Sequence, residues 1–269
     1  MSYVKIKNLI IGSNERTMLT AVNDMGSGSV NKRSESFYGF DGCIDSDITF
    51  APRTVSVSGT LFGDSMQDID GLKRTLSEAC NPKEEIELCY NNGYKSYYSP
   101  AYAEGLPTFS KLENKTYRFV IYFKLYKFWW YGPLVSRPVM KRADNIYGTF
   151  SLPRALTVST IGAIIQNSGT AAAEPIFKIK FAKARTADFA ITNATYQKHI
   201  KIESYSAAAG EILTVNCSDC SVTSDVNGNI IEYLSEDSTF FNIEVGKNDI
   251  TFSGEDEASV EYREKYIGA

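Results

Sequence analysis

Alternation of hydrophobic and polar positions is the strongest pattern in the first half of the chain. Residues 53–63, RTVSVSGTLFG, place Val55, Val57 and Leu61 on one side and serines and threonines on the other. Residues 116–132, TYRFVIYFKLYKFWWYG, alternate in the same way at Phe119, Ile121, Phe123 and Leu125. Because successive strand residues point to opposite faces, both segments predict strands that line a core. The aromatic run at 128–131 is then predicted to be the tail of the second strand.

A helical spacing separates these two strands. Ser65 is a good N-cap residue, and Asp68 follows it three positions later, as in a capping box. Apolar residues then recur every three or four positions, which is typical of one helical face, at Met66, Ile69, Leu72, Leu76 and Ala79. Asn81-Pro82 ends the pattern. The sequence therefore predicts one helix in this half of the chain.

The remaining segments of the first half predict strands and one long polar segment. Residues 4–11 predict a strand ending at Gly12. Residues 23–39, NDMGSGSVNKRSESFYG, are polar and glycine-rich, and we interpret them as a loop or an extended arm. Residues 85–90 predict a further strand, and NNG at 91–93 is a turn signal before YKSYYSPAYAEG.

The pattern changes after the aromatic run. Residues 132–148 carry two prolines and several charges without clear periodicity, which is typical of a connection between domains. From about Ser151 the chain predicts short strands at regular spacing: IFKIKF, HIKIES, EILTVNC, NIIEYL, FFNIEV and DITF. NGN at 227–229 predicts a hairpin, and 235–238 and 246–249 predict turns. This pattern indicates a β-sandwich or jelly roll.

The predicted fold class is therefore mainly β. An N-terminal β-sheet or sandwich domain with one helix, residues 1–135, is followed by a C-terminal β-sandwich domain, residues 136–269. A length of 269 residues is enough for two cores.

Composition and charge narrow the function. Hydrophobic residues make up 43% and charged residues 22% of the chain, which favours an ordered globular protein. The net charge of −4 gives no basic face for nucleic acid. The first residues show no signal-peptide pattern. The longest uncharged stretch, 155–173, is too rich in Ser, Thr, Asn, Gln and Gly for a membrane span. We expect a soluble protein made in the cytosol.

The cysteines do not indicate a disulfide framework, because their number is odd and they are scattered: Cys43, Cys80, Cys89, Cys217 and Cys220. Cys217 and Cys220 form a C-x-x-C. Zinc would need two further ligands, and the single histidine, His199, has no partner at a suitable spacing. A thioredoxin-like site would need a βαβ context. We interpret the pair as two reduced thiols in or beside a strand.

Other candidate chemistry is equally weak. The chain has no phosphate-binding loop and no G-x-S-x-G motif, and a serine triad would have to use His199. Glu84-Glu85 and residues 255–257 are acidic pairs or clusters, and the second is predicted to be a solvated turn. Asp41, Asp45 and Asp47 are spaced loosely like calcium ligands, but the glycine and final glutamate of that motif are missing. We predict no catalytic, cofactor or metal residues and no enzyme.

Both tryptophans, Trp129 and Trp130, lie side by side in the aromatic run. Exposed aromatic faces bind sugars. Neighbouring side chains on a regular strand point to opposite faces, however, so the two indoles cannot form one platform. Packing in a core and between domains is favoured.

Together these segments resemble a known family. RTVSVSGTLFGDS, the helix ending in LKRTLSEACNP, and the strands through KFWWYG resemble the N-terminal domain of the siphophage distal tail proteins. Lys127 stands where that family often has proline. IIQNSGTAAAEPIFKIK, DVNGNII, STFFNIEVGKNDITFSG and EYREKYIG resemble the second half of the same family.

The resemblance implies a structural virion protein at the phage tail tip. Family members have an N-terminal belt domain and a C-terminal galectin-like sandwich. They form a hexameric ring hub that joins the tail tube protein to tail-associated and receptor-binding proteins. This chain is similar to the short form, without an inserted sugar-binding module. The resemblance leaves open whether the source is an infectious phage, a prophage or a phage-tail-like bacteriocin.

Within this picture, residues 23–39 and 91–114 are our candidates for contacts between subunits or with the tube. The alternative function is a carbohydrate-binding protein that contacts host cell-wall glycans through the C-terminal sandwich. A wall hydrolase is the third hypothesis, and no acid–base pair or nucleophile supports it. We expect no cofactor, no metal, no nucleic-acid binding and no membrane insertion.

Overall fold

The computed structural model describes residues 2–26, 28–35, 38, 41, 44–140, 162–253 and 256–269. The chain divides into two compact units. The first comprises Met1–Pro133 with Tyr266–Ala269, and the second comprises Leu134–Lys265. The division falls inside a strand, Trp130–Met140, so the connection expected over residues 132–148 begins as regular structure. Residues 141–148 lie outside the described residues.

The first unit is an antiparallel β structure with one α-helix among the described residues. Its elements are β1 (Tyr3–Ile6), β2 (Leu9–Ile11), β3 (Thr17–Asn23), β4 (Val30–Glu35), β5 (Ile44–Phe50), β6 (Arg53–Phe62), α1 (Met66–Ala79), β7 (Ile86–Asn91), β8 (Ser96–Ala103), β9 (Thr108–Glu113), β10 (Thr116–Leu125) and the start of β11 (Trp130–Met140). One run of pairings is β2–β1–β7–β8, and another is β3–β6–β10–β9. Strand β8 joins the two runs by pairing with the end of β10.

Strands β6 and β10 form where alternation predicts them. The alternate apolar residues of both strands are buried in one core, together with Ile69 and Leu76 of the helix. Ser56 and Thr60, on the polar side of β6, are also buried, because β6 lies between β3 and β10. The alternation therefore predicts the strand correctly, but it does not predict that the polar face of the strand is also buried.

Helix α1 begins and ends as predicted. The Ser65 hydroxyl accepts a hydrogen bond from the Asp68 N–H at 3.1 Å, which satisfies one of the free donors of the first turn. The Cys80 N–H donates to the Leu76 carbonyl at 3.1 Å and closes the last turn before Pro82. Met66, at the start of the predicted apolar face, is half exposed.

The first ten residues and the aromatic run differ from the prediction. Residues 4–11 form two short strands, because the chain turns at Lys7, which has a φ of 53°. Strand β10 ends at Leu125, and Trp130 begins β11. The aromatic run is therefore not the tail of the long strand. The Phe128 carbonyl accepts its hydrogen bond from a side chain, that of Arg53, rather than from a neighbouring strand.

The second unit is a two-layer β structure. One layer contains the end of β11 with β13 (Ile176–Lys180), β16 (Ile212–Asn216), β17 (Ser221–Ser224), β18 (Gly228–Asn229) and β20 (Glu257–Tyr266). The other contains β12 (Ala163–Asn167), β14 (Arg185–Asn193), β15 (Lys198–Ala207) and β19 (Gly246–Phe252) in the order β12–β19–β14–β15. Side chains of both layers, such as Phe177 and Phe252, meet in one core, as in a sandwich.

Three predictions of local structure in the second half are wrong. NIIEYL contains a 3₁₀ turn, Ile231–Tyr233, instead of a strand. FFNIEV makes only an isolated bridge between Ile243 and Ala173, although Phe241 and Ile243 are buried. Residues 246–249 begin β19 instead of forming a turn. The hairpin predicted at NGN is present between β17 and β18. The fold class, mainly β with one helix in the N-terminal half, is confirmed.

Candidate assembly surface

Strands β4 and β5 form a two-stranded ribbon that, within the described part of the chain, pairs with no other strand. Val30 lies opposite Phe50, and Glu35 lies opposite Ile44, with an irregularity between Asn31 and Arg33. Both outer edges of the ribbon therefore present backbone N–H and C=O groups that no described strand covers. Such edges are templates for pairing with another chain.

The ribbon exposes both charged and apolar side chains. Every residue of β4 is exposed. Val30 is 40%, Ile48 61% and Phe50 46% exposed, which is unusual for large apolar side chains on neighbouring strands. A two-stranded ribbon with solvent on both faces buries little apolar area, and isolated hairpins are marginally stable in water. The ribbon therefore depends on its attachment to the rest of the unit.

Three aromatic rings anchor the base of the ribbon. The Phe50 ring stacks on the Phe128 ring, with centroids 4.0 Å apart and planes 13° from parallel. Trp129 meets both rings edge-on, at 5.4 Å from Phe50 and 5.3 Å from Phe128. Where the ribbon joins the unit, the Ala51 N–H donates to the Ser29 carbonyl at 3.0 Å. We name Phe50, Phe128 and Trp129 the base cluster.

Arg53 packs against the base cluster and hydrogen-bonds to the chain around it. Its guanidinium carbon lies 4.7 Å from the centroid of the Phe128 ring, within cation–π distance. Its N–H groups donate to the Met25 carbonyl at 3.1 Å, the Ile267 carbonyl at 2.7 Å and the Phe128 carbonyl. Burial lowers the pKa of Arg53 to about 10, so the side chain stays charged at neutral pH. Arg53 thereby fixes three chain segments of the first unit around the ribbon base.

The two tryptophans have different environments. Trp130 is fully buried in the core of the first unit, and its indole N–H donates to the Met25 carbonyl at 3.1 Å. Trp129 is half-buried in the base cluster. The two indoles do not form one platform. The sequence favours packing of the aromatic run in a core and between domains; in the structure Trp130 packs in the core of the first unit, and Phe128 and Trp129 anchor the ribbon.

The two predicted contact regions differ. Residues 23–39 contain β4 and so supply half of the ribbon. Residues 91–114 are not a free hairpin, because β8 is paired on both sides and buries Ala101 and Ala103. The turn before β8, where Tyr94 is fully exposed, and strand β9, which pairs only with β10 among the described strands and exposes Leu112, are the parts of this region open to solvent. Sequence reasoning missed β5, although Ile44, Ile48 and Phe50 alternate with polar residues, because Asp45 and Asp47 are interpreted as part of a polar loop.

Of the remaining candidate residues, Asp45 and Asp47 belong to β5 of the ribbon, whereas His199, Cys217 and Cys220 belong to the second unit. His199 lies on β15, with its Nε2 3.1 Å from the Asp237 carboxylate. Cys217 is buried and Cys220 is exposed in the loop between β16 and β17, and both are free thiols. The prediction for Cys43 falls outside the described residues. Among the described residues, no group of three or more His, Cys, Asp or Glu side chains could hold a metal ion.

The acidic candidates make ordinary structural contacts. Asp256 was predicted to be in a solvated turn, but it is buried and pairs with the Arg185 guanidinium. Glu84 accepts from Lys7 at 2.5 Å, and Glu85 accepts from the Tyr102 hydroxyl at 3.4 Å. Asp41 is exposed.

No helix in the described ranges is both long and apolar enough to span a bilayer.

Comparisons with known proteins give a consistent result. A family model described as the C-terminal domain of a siphovirus-type tail component matches residues 168–266. A second model, described as a phage tail protein RIFT-related domain, matches residues 11–125. No curated protein matches.

Solved structures show the same fold over nearly the whole chain. The crystal structure of the phage SPP1 Dit protein, described as a paradigm of the hub adsorption apparatus in phages that infect Gram-positive hosts, matches with a TM-score of 0.72 at 14% identity, covering 98% of this chain and 99% of that chain. The phage P2 baseplate in its activated conformation with Ca matches with a TM-score of 0.53 at 12% identity, covering 100% of both chains. The form with Sr matches at 0.52 and 13% identity, covering 100% and 99%.

Proposed function

Because this chain belongs to the Dit family of siphovirus-type tail components, we propose that copies of it close into a ring that is the hub of the tail tip. The chain is a structural protein of the phage tail or baseplate. The ring, its six copies and its partners are our proposal. Its role is assembly, with no catalytic step.

The observation that carries the proposal is the anchored ribbon. A closed ring needs a head-to-tail interface, in which one patch of a subunit meets a different patch of the next. The ribbon supplies one such patch, because it combines open strand edges with exposed Val30, Ile48 and Phe50. The base cluster and Arg53 hold it in place before assembly, which reduces the entropy lost on binding.

The proposed partners follow the two halves of the chain. We propose residues 1–135 as the ring-forming belt domain and residues 136–269 as a galectin-like sandwich. The ring joins the tail tube protein on one side to tail-associated and receptor-binding proteins on the other. The protein is made in the host cytoplasm and ends at the virion tail tip.

Replacing the ribbon tests the proposal. Ser29 and Ala51 are already hydrogen-bonded to each other, so three glycines can replace residues 30–49 and leave Phe50 in place for its contacts in the base cluster. The ribbon-deleted protein is expected to stay folded and to lose the ring. Light scattering after size-exclusion chromatography measures the mass, and circular dichroism checks the fold. A folded, ribbon-deleted protein that still forms a ring of unchanged size and stability contradicts the proposal.

A point variant sharpens the test. Ile48→Asp places a charge on the ribbon and should weaken ring formation at least about tenfold, because an unpaired carboxylate would be buried at each interface. Val226→Asp is the matched control, since Val226 is 62% exposed but lies in the second unit. Equal dissociation constants for the two variants would show that the ribbon is not the contact.

A further inference from the structure

The C-x-x-C pair lies at a loop whose geometry brings its two ends together. Asn216 on β16 lies opposite Ser221 on β17, so residues 217–220 form a four-residue hairpin loop. Cys217 is the first residue of this loop and Cys220 is the last. Cys220 has a φ of 55°, in the left-handed region. Four-residue hairpin loops are most often built around a β-turn, and here a left-handed residue ends the loop.

This loop is held in place on both sides. The Cys217 N–H donates to the Pro175 carbonyl at 3.0 Å, and the Ser218 N–H donates to the Asn216 side-chain oxygen at 3.0 Å. The Ser221 N–H donates to the Asp219 carboxylate at 3.2 Å. The loop ends therefore keep their spacing without any covalent link.

The spacing suits a disulfide. The first and fourth residues of a β-turn have Cα atoms less than about 7 Å apart. A disulfide needs a Cα separation of about 4.4 to 6.8 Å. The two thiols also lie close enough to interact electrostatically, since Cys220 contributes to the raised pKa of Cys217 after the larger effect of burial.

We propose that Cys217 and Cys220 form a disulfide across this loop when the protein meets an oxidising small-molecule disulfide. The exposed Cys220 thiolate attacks one sulfur of oxidised glutathione and expels one glutathione thiolate, which leaves a mixed disulfide. The Cys217 thiolate then attacks the Cys220 sulfur and expels the second glutathione. The protein loses two electrons and two protons, and one disulfide becomes two thiols.

The order of attack follows from accessibility. Cys220 is exposed, whereas Cys217 is buried and burial raises the pKa of its thiol to about 12. The exposed thiol therefore reacts first with an external disulfide. The second step needs no access for a further reagent, because the mixed disulfide is already at the other end of the loop.

The expectation that the protein meets oxidising conditions rests on the proposed function. The ability of the two cysteines to form a disulfide does not depend on that function. A tail component is made under reducing conditions and meets oxidising ones outside the host cell. The loop closes in the purified full-length chain whether or not the chain forms a ring.

Mass spectrometry of the full-length protein tests the proposal. The reduced protein is incubated with oxidised glutathione, denatured, alkylated and digested with trypsin. The tryptic peptide 202–247 contains Cys217 and Cys220, no other cysteine, and no internal Lys or Arg. This peptide is expected to escape alkylation and to be lighter than the reduced peptide by two hydrogen atoms. Cys80 and Cys89, both buried in the first unit, are expected to be alkylated and serve as internal controls.

Cys220→Ser is the matched variant. Its peptide is expected to be alkylated at Cys217, with no loss of two hydrogens. The proposal is overturned if the wild-type peptide carries glutathione on Cys220 and an alkyl group on Cys217, if both cysteines are alkylated, or if they link two copies of the chain.

Discussion

Arg53 in the first unit and Glu211 in the second are both buried charges, yet neither is neutralised by an opposite charge among its hydrogen-bond partners. Arg53 is 5% exposed and donates to three backbone carbonyls. Glu211 is 2% exposed and accepts from the Tyr205 and Ser224 hydroxyls, the Ala208 N–H and the Asn227 amide. Each charge is thus stabilised by oriented dipoles, since a buried charge without partners would cost far more.

The difference between the two sites is the distance along the chain that each one spans. The carbonyls bound by Arg53 belong to Met25, Phe128 and Ile267, which are 28, 75 and 214 positions away from it. The partners of Glu211 lie within 16 positions of it. Arg53 therefore stabilises the long-range arrangement around the ribbon base, whereas Glu211 stabilises local turns.

The largest effect is expected for Arg53→Met. The variant removes one donor from each of three carbonyls, of which the Met25 carbonyl still accepts from the Trp130 indole N–H, and should lose about 3 to 5 kcal/mol of unfolding free energy. Urea denaturation followed by tryptophan fluorescence measures it, because both tryptophans lie in the first unit. Arg74→Met, at an exposed position on α1, is the control and should change stability by less than about 0.5 kcal/mol. Equal unfolding curves for the two variants would mean that Arg53 does not hold the ribbon base.

Glu211→Gln should have a smaller, pH-dependent effect. Burial alone would raise the pKa of Glu211, but the Ser224 and Tyr205 hydroxyls and the Ala208 N–H outweigh it and hold the pKa below its usual range. A carboxylate with a lowered folded pKa stabilises the fold above its unfolded pKa of about 4.3, and this contribution is lost as the pH falls through the folded value.

We therefore expect Glu211→Gln to lose about 1 to 3 kcal/mol at pH 7 and to approach the wild type as the pH falls below about 4. Urea midpoints from far-UV circular dichroism at several pH values measure the difference. Glu203→Gln, on β15 and partly exposed, is the control. A difference that stays constant from pH 7 to pH 3 would show that the charge of Glu211 is not what the site stabilises.

Gly28→Ala tests how tightly the base cluster is packed. A Cβ at Gly28 would lie 2.4 Å from Cε2 of Phe128, a ring that Phe50 and Arg53 hold in place. The overpacking should cost about 1 to 3 kcal/mol. Gly26→Ala is the control, because a Cβ at Gly26 meets nothing within 4 Å. If tryptophan fluorescence and urea midpoints are the same for both variants, the cluster tolerates more movement than its contacts indicate.

The smallest loss of stability is expected from removing an uncharged contact, the N-cap hydrogen bond of α1. Ser65→Ala removes the N-cap of α1 and should cost about 1 kcal/mol. Ser77→Ala, inside the same helix, should be neutral or slightly stabilising because alanine has the higher helix propensity. A Ser65→Ala loss as large as that of Arg53→Met would remove the distinction between charged and uncharged anchors.

The sequence predicts the elements whose stability is local or periodic. The N-cap and the apolar face of helix α1 are both formed by residues within one short segment, and the hydrophobic alternation of β10 is unbroken. Residues 23–39, which contain β4, are predicted only as a loop or extended arm, because β4 is exposed at every residue and gains its structure by pairing with β5. The sequence predicts a strand at Phe241 and Ile243, although they are buried without forming one. A buried apolar segment that pairs with no strand has the same sequence pattern as a buried strand.

The anchors of the ribbon could not be predicted. The partners of Arg53 are backbone carbonyls, which carry no sequence signal, and they come from three distant segments. The aromatic run indicates in sequence where the anchor lies, but its role depends on Phe50, which is 78 positions before Phe128. Only the folded chain brings these residues together.

The most direct test of the account is the mass and shape of the purified full-length protein in solution. Light scattering and electron microscopy are expected to show a ring with a central hole and about six times the 29.9 kDa mass of one chain. The ring should dissociate in Ile48→Asp and persist in Val226→Asp. A monomer of 29.9 kDa at every concentration, or a ring that Ile48→Asp leaves intact, would contradict the claim that the ribbon joins one copy to the next.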